Sequence, residues 1–158
     1  MGNAGVRAVG NVVGVVGELP EASGPLRPVG SLHARVPGAC VVRVLYPCEG
    51  ALGGAAATRG YTREVVVRHA PFVFKNVRNT RHYLREGARV RAPPAPASRY
   101  PVLFFSHGLK GSADVYSKIA SEIASHGLVV LCLEHEDGSA SVSATVSVSR
   151  VLHCVGSH

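Results

Sequence analysis

The stretch that most restricts what this chain can fold into is "PVLFFSHGLKGSADVYSKIASEIASHGLVVLCLEH", Pro101 to His135. Its two ends, Pro101–His107 and Leu128–His135, are apolar runs of the kind found in strands buried on both faces of a parallel sheet. Between them, Tyr116, Ile119, Ala120, Ile123 and Ala124 recur at helical spacing, which predicts a helix over Ala113–Ser125 with these residues facing the core. Ser112 is the expected N-cap, Asp114 favours the positive end of the dipole, and Asp114, Lys118, Ser121, Glu122 and Ser125 take the wet face. Gly127 suits the left-handed residue just past the helix end. Strand, helix and strand together make one βαβ unit, whose crossover is right-handed and whose strands are parallel.

A chain of 158 residues with 46% hydrophobic and 17% charged residues has the size and composition of one folded domain. Residues 1–39, rich in Gly, Pro and Val without sustained period, read as an irregular lead-in. "ACVVRVLYP", Ala39–Pro47, is a β-branched run closed by proline and predicts a strand. Residues 50–60 read as a small-residue loop, Val65–Val67 as a short strand, and "NVRNTRHYLREG" as a helix ended by Gly87. "RAPPAPAS", Arg91–Ser98, is an extended connector, because proline fixes φ and disfavours helix before it. The Ser/Val alternation of Ser141–Ser149 has the period of an exposed strand and no chemical content.

Charge is concentrated. Arg59 to Arg99 holds nine arginines and Lys75 against Glu64 and Glu86, a balance of +8 against a net +7 for the whole chain, so the basicity belongs to one segment. Such a segment is either a solvated insert or a patch drawn to anionic phospholipid, where each cation is worth about 1 kcal/mol. Tyr61, Phe72, Phe74 and Tyr83 interleave with the arginines, yet no nucleic-acid module signature accompanies them, and nucleic acid is not an expected partner. Cys40, Cys48, Cys132 and Cys154 form no Cys-x-x-Cys pair and no zinc-like spacing with the histidines, so no metal or other cofactor is expected, and a reduced, cytoplasmic setting follows. No run approaches the roughly 20 apolar residues that span a bilayer. Gly2 lacks the Ser or Thr of the myristoylation pattern, having Val6 there, so any membrane attachment is expected to be peripheral.

A strand that ends in His-Gly and opens into a loop before a helix is the arrangement from which α/β hydrolases take one oxyanion donor, a backbone N–H. Here that donor is Leu109, with Gly108 allowing the turn and His107 preceding it. An ordinary β–α turn of another α/β fold has the same pattern. Ser106 and His107 are neighbours on a strand and point to opposite faces, so they cannot pair directly as nucleophile and base.

"YPVLFFSHGLKGSADVYSKIASEIASHGLVVLCLEHEDGSAS", Tyr100–Ser141, resembles the corresponding part of the platelet-activating factor acetylhydrolases, the group VII phospholipases A2. The resemblance lies in Tyr-Pro, Phe-Ser-His-Gly-Leu, Tyr-Ser, Ala-Ser-His-Gly and Glu-His-x-Asp-x-Ser-Ala, in this order. "VLYPCEG" from Val44 and "GPLRPVG" from Gly24 are similar to earlier motifs of the same family. The resemblance implies an incomplete α/β-hydrolase fold of the α/β class: N-terminal strands plus one βαβ unit of a mainly parallel sheet. The domain occupies residues 40–140, with 59–99 as a basic insert and 141–158 as an atypical tail. It further implies hydrolysis of the sn-2 ester of phospholipids by a Ser-His-Asp triad without calcium, with a phospholipid or membrane surface as partner.

Of that machinery the matching positions are the oxyanion loop, His107, Gly108 and Leu109. No glycine here is followed two residues later by serine, so the Gly-x-Ser-x-Gly elbow is absent from these 158 residues, and this chain alone is expected to be inactive. The strand from Val102 is expected to become an edge, which promotes association and poor solubility. Two departures stand out: "EHEDGSA" has Glu136 and Gly138 where the family has arginines, and "KGSAD" replaces Gly-Ala-Phe-Arg. The residues leave two alternatives: a different α/β-hydrolase carboxylesterase, or a non-catalytic lipid-surface or protein-binding module built on the basic segment.

Overall fold

The structure, a computed structural model, describes residues 19–50, 58–60 and 81–140. Six strands, β1 (Val29–Arg35), β2 (Val41–Pro47), β3 (Thr58–Gly60), β4 (Arg81–Glu86), β5 (Val102–Ser106) and β6 (Val129–Leu133), and one helix, α1 (Ser117–Ser125), make up these segments. The sheet order is β3-β4-β1-β2-β6-β5. β5 and β6 pair in parallel from Val102↔Val129 to Ser106↔Leu133, and β1 and β4 also pair in parallel, whereas β1–β2, β2–β6 and β3–β4 are antiparallel. The sheet is therefore mixed, and the βαβ unit β5-α1-β6 forms one end of it.

β2 shows why this order is stable. All seven of its residues are buried, as its largely apolar sequence, interrupted only by Arg43, suits in a central strand. Leu45 joins Val29, Leu84, Val130 and Cys132 beneath α1, while Val42, Val44 and Tyr46 pack on the opposite face with partly buried Leu131 and Leu133.

The lead-in and the basic segment depart from expectation. Residues 29–35 form β1, inside the stretch read as irregular, and 81–86 form strand β4, not the end of a helix. Both strands are too polar to announce themselves in sequence and are held by pairing: β1 lies between β4 and β2, and Gly30 leaves room for the Tyr46 ring, which a Cβ would meet at 2.5 Å. The basic segment is thus no insert where it is described, because β4 belongs to the sheet. Its Arg91 donates to the carbonyls of Cys48 (3.2 Å) and Arg27 (3.0 Å). Gly87 does end its element, with φ +68 and its N–H bonded to Ser31 O. The strand expected at Val65–Val67, residues 1–18 and the tail 141–158 lie outside the described residues.

α1 starts at Ser117, four positions later than expected; Ala113–Tyr116 form turns, and no side chain caps the helix. Its buried stripe is also rotated. Ser117, Ala120, Ser121, Ala124 and Ser125 face inward, and Ile119 is 53% exposed. Small side chains win this face because main chain approaches it closely: a Cβ on Gly24 would fall 2.4 Å from Ser125 O. Leu26 N–H donates to Ser125 O (2.9 Å), Gly24 N–H to Ser125 Oγ (3.0 Å), and Ser23 N–H to Glu122 Oε2 (3.1 Å). Gly127, with φ +99, closes the helix as expected.

β5 is not buried on both faces. Leu103 and Phe105 pack on the core, but Val102 and Phe104 are exposed, Phe104 by 70%. β5 ends the sheet order, pairing only with β6, so among the described residues this strand is an edge of the sheet.

Candidate functional site

The loop that leaves β5 carries the three candidate residues. His107 turns inward and is 4% exposed, while Ser106, one residue earlier, is exposed, as alternation along a strand dictates. Leu109 is 81% exposed, and among the described residues no acceptor takes its N–H. Groups on either side of it are engaged. Gly108 O accepts the N–H of Gly111 (2.9 Å), Lys110 N–H donates to Ser139 O (2.7 Å), and His107 Nδ1 lies 2.9 Å from Gly108 O. An N–H left without an acceptor, on an exposed loop pinned on either side, is what an oxyanion donor requires.

The turn is not made where it was expected. Gly108 has no left-handed φ, and a Cβ there would meet only the Tyr116 hydroxyl, at 3.9 Å. The left-handed residue is Lys110, φ 60, and the crowded position is Gly111, whose Cβ would meet Gly108 O at 2.9 Å and His107 Nδ1 at 3.1 Å. Gly111 is the glycine that this loop needs.

A second loop, 134–140, supports the first. His135 stacks its ring on His107, centroids 3.9 Å apart, and its N–H donates to His107 Nε2 (3.3 Å). The His135 ring bridges Ser106 Oγ at 2.8 Å and Ser139 Oγ at 3.0 Å. Ser106 and His135 therefore meet at nucleophile–base distance, but the group orienting the base is a hydroxyl, not the carboxylate of a triad. Asp137 accepts from Ser139 N–H (2.9 Å), and the Ser139 hydroxyl beside it holds its carboxyl below the usual range. Glu136, a departure from the family pattern, has a partner in Arg35: Nη2 to Oε1 2.7 Å and Nη1 to Oε2 3.3 Å. That forked pair raises the Arg35 pKa and ties the loop to β1.

Beneath the loop lies a buried polar cluster around Asp114, a residue expected on the wet face of the helix. Asp114, fully buried, accepts from Arg43 Nη1 (3.1 Å) on β2 and His33 Nε2 (2.8 Å) on β1. Arg43 also donates to Ser117 Oγ and to His82 Nε2 (3.3 Å), so β1, β2 and β4 converge on the turn before α1. Arg43 inside the apolar run "VVRVLYP" was the available signal, since a buried charge demands a partner. Burial pushes the nearby Cys132 thiol up to about 12. Among the described residues no three His, Cys, Asp or Glu side chains gather as a metal site, and no helix is long and apolar enough to cross a membrane.

The model of the family described as platelet-activating factor acetylhydrolase, isoform II, matches residues 66–151. The platelet-activating factor acetylhydrolase of Canis lupus familiaris is 43% identical over 56 residues, 35% of this chain and 13% of the relative. That of Bos taurus is 51% identical over 43 residues, 27% of this chain and 10% of the relative. The matched stretches thus span only about an eighth or less of these relatives. Among solved structures, a ferulic acid esterase from Streptomyces cinnamoneus aligns with TM-score 0.58 at 22% identity, covering 80% of this chain and 38% of that one. The likeness shows a shared α/β fold.

Proposed function

This chain belongs to the platelet-activating factor acetylhydrolase, isoform II, family, and from that premise we propose that it supplies the oxyanion-binding part of an esterase hydrolysing the sn-2 ester of phospholipids. The observation that carries the reading is the Leu109 N–H, without an acceptor among the described residues, in the exposed loop that follows β5. When a serine oxygen attacks the ester carbonyl, negative charge collects on the carbonyl oxygen, and a preorganised N–H there contributes about 3–4 kcal/mol to the transition state. The nucleophile must come from a Gly-x-Ser-x-Gly elbow, which these 158 residues lack. The chain by itself then performs no turnover, and the complete enzyme works in the cytoplasm at a membrane or lipid surface.

The test is a chimera in which residues 100–140 replace the homologous stretch of the canine relative. It is expected to release acetate from a 1-alkyl-2-acetyl glycerophosphocholine, while the 158-residue chain releases none. A folded chimera that hydrolyses simple aryl esters but no phospholipid would overturn the substrate assignment in favour of a general carboxylesterase.

A further inference from the structure

The Gly108–Leu109 peptide is a single plane, in which the Gly108 C=O and the Leu109 N–H point in opposite directions. Whatever fixes the carbonyl therefore aims the amide. Gly108 O is held by two groups, the Gly111 N–H and His107 Nδ1, each at 2.9 Å. The second depends on which ring nitrogen carries the proton. The His135 main-chain N–H can only donate, and it points at His107 Nε2 (3.3 Å), so Nε2 accepts and the proton sits on Nδ1, where it donates to Gly108 O.

We infer that His107 is a positioning residue: held as the Nδ1–H tautomer by the His135 N–H, it fixes the Gly108 carbonyl and so aims the Leu109 N–H at the reacting oxygen. The inference rests on the reading of Leu109 as the oxyanion donor, and it gives the His of the Ser-His-Gly motif a task that neither a nucleophile nor a metal ligand would explain. The surroundings favour one ring orientation. His107 is buried, the His135 ring covers it at 3.9 Å, and Gly111 packs against its Nδ1 side without room for a Cβ. Glu134 Oε1 stands 3.5 Å from Nε2. A second proton on Nε2 would turn that nitrogen from the His135 amide towards this carboxylate, whereas the neutral ring keeps the His135 bond.

The test uses the 158-residue chain and nuclear magnetic resonance, with no ester hydrolysis, so its failure is separable from that of the esterase reading. The 15N shifts of the His107 ring are expected to show Nδ1 protonated and Nε2 bare; a protonated Nε2 in the neutral ring overturns the inference. His107→Leu removes the donor, and the Leu109 amide signal is expected to move or split while β6 amides keep their protection. His107→Asn places an amide N–H near the Nδ1 position and is expected to return the Leu109 signal towards its native shift. In the leucine variant Gly111 amide exchange should quicken by about tenfold, the loss of roughly one hydrogen bond. If leucine also loosens β6, His135→Pro, which removes the main-chain N–H together with the ring, is compared with His135→Ala, which removes only the ring, and the proline should move the Leu109 signal further than the alanine. A Leu109 signal unmoved in a folded leucine variant, or equal in the leucine and asparagine variants, contradicts the inference.

Discussion

Replacing Asp114 by asparagine should destabilise the fold more than any other single change of charge among the described residues. Asp114 is fully buried and its Oδ1 receives Arg43 Nη1 at 3.1 Å and His33 Nε2 at 2.8 Å. The Arg43 side chain is only 5% exposed, so water cannot replace the lost negative charge. Breaking a buried pair from one side costs about 3–5 kcal/mol, because the remaining charge stays desolvated. Asparagine retains one acceptor oxygen, which places the expected loss near the lower end, about 3 kcal/mol. Small domains have only about 5–15 kcal/mol in all. By contrast, the half-buried Lys118–Glu122 pair near the surface, at 3.2 Å, should be worth about 0–1 kcal/mol. Urea unfolding at pH 7, followed by tyrosine fluorescence and far-ultraviolet circular dichroism, should show the midpoint falling by about 2 M for a typical dependence on urea. The double variant Asp114→Leu with Arg43→Met should lose less than the single one, since it removes both charges together. A loss under about 1 kcal/mol for Asp114→Asn, or a double variant worse than the single, would refute this account of the cluster.

Other expectations follow from the same structure. The Ser23 hydroxyl, with the Ser23 N–H and Lys118, lowers the Glu122 pKa from 4.5 to about 2. Because the folded value is the lower one, the contribution is fully present above about 4.5 and fades as pH falls towards 2. Amide exchange of residues 23–26 should accelerate in that window ahead of the sheet, and Glu122→Gln should remove the dependence. Buried Cys132 and Cys48, both with raised pKa values, should resist iodoacetamide at pH 8 in the folded chain, whereas partly exposed Cys40 reacts; peptide mapping decides. Phe104→Lys places a charge on the edge strand β5 and should reduce concentration-dependent association in sedimentation velocity. Association unchanged by the lysine would locate the sticky surface elsewhere.

Which elements were legible follows from how they are stabilised. β2, β5 and β6 announced themselves because their sequences are mostly apolar and their buried side chains lie in the core. β1 and β4, "VGSLHAR" and "RHYLRE", did not, because pairing partners on both sides, not local preference, hold them extended. The helix phase misled for a related reason. Hydropathy ranks Ile119 above Ser121, but the close approach of Gly24 to Ser125 favours small residues on that face. Within the site, the His-Gly loop was readable because its spacing is local. Its brace was not, since His135 meets His107 and Ser106 across 28 and 29 residues of chain. Glu136 registered only as a departure until Arg35 supplied its partner.

The most direct test of the central claim separates the Leu109 amide from its side chain. In the chimera carrying residues 100–140, Leu109→Pro removes the N–H, while Leu109→Ala keeps it and trims an exposed side chain. Loss of one oxyanion donor lowers kcat by about 100- to 1,000-fold, so the account predicts that fall for the proline variant, with KM nearly unchanged and the alanine variant close to native. A folded proline variant that hydrolyses the sn-2 acetyl ester at the native rate would contradict it.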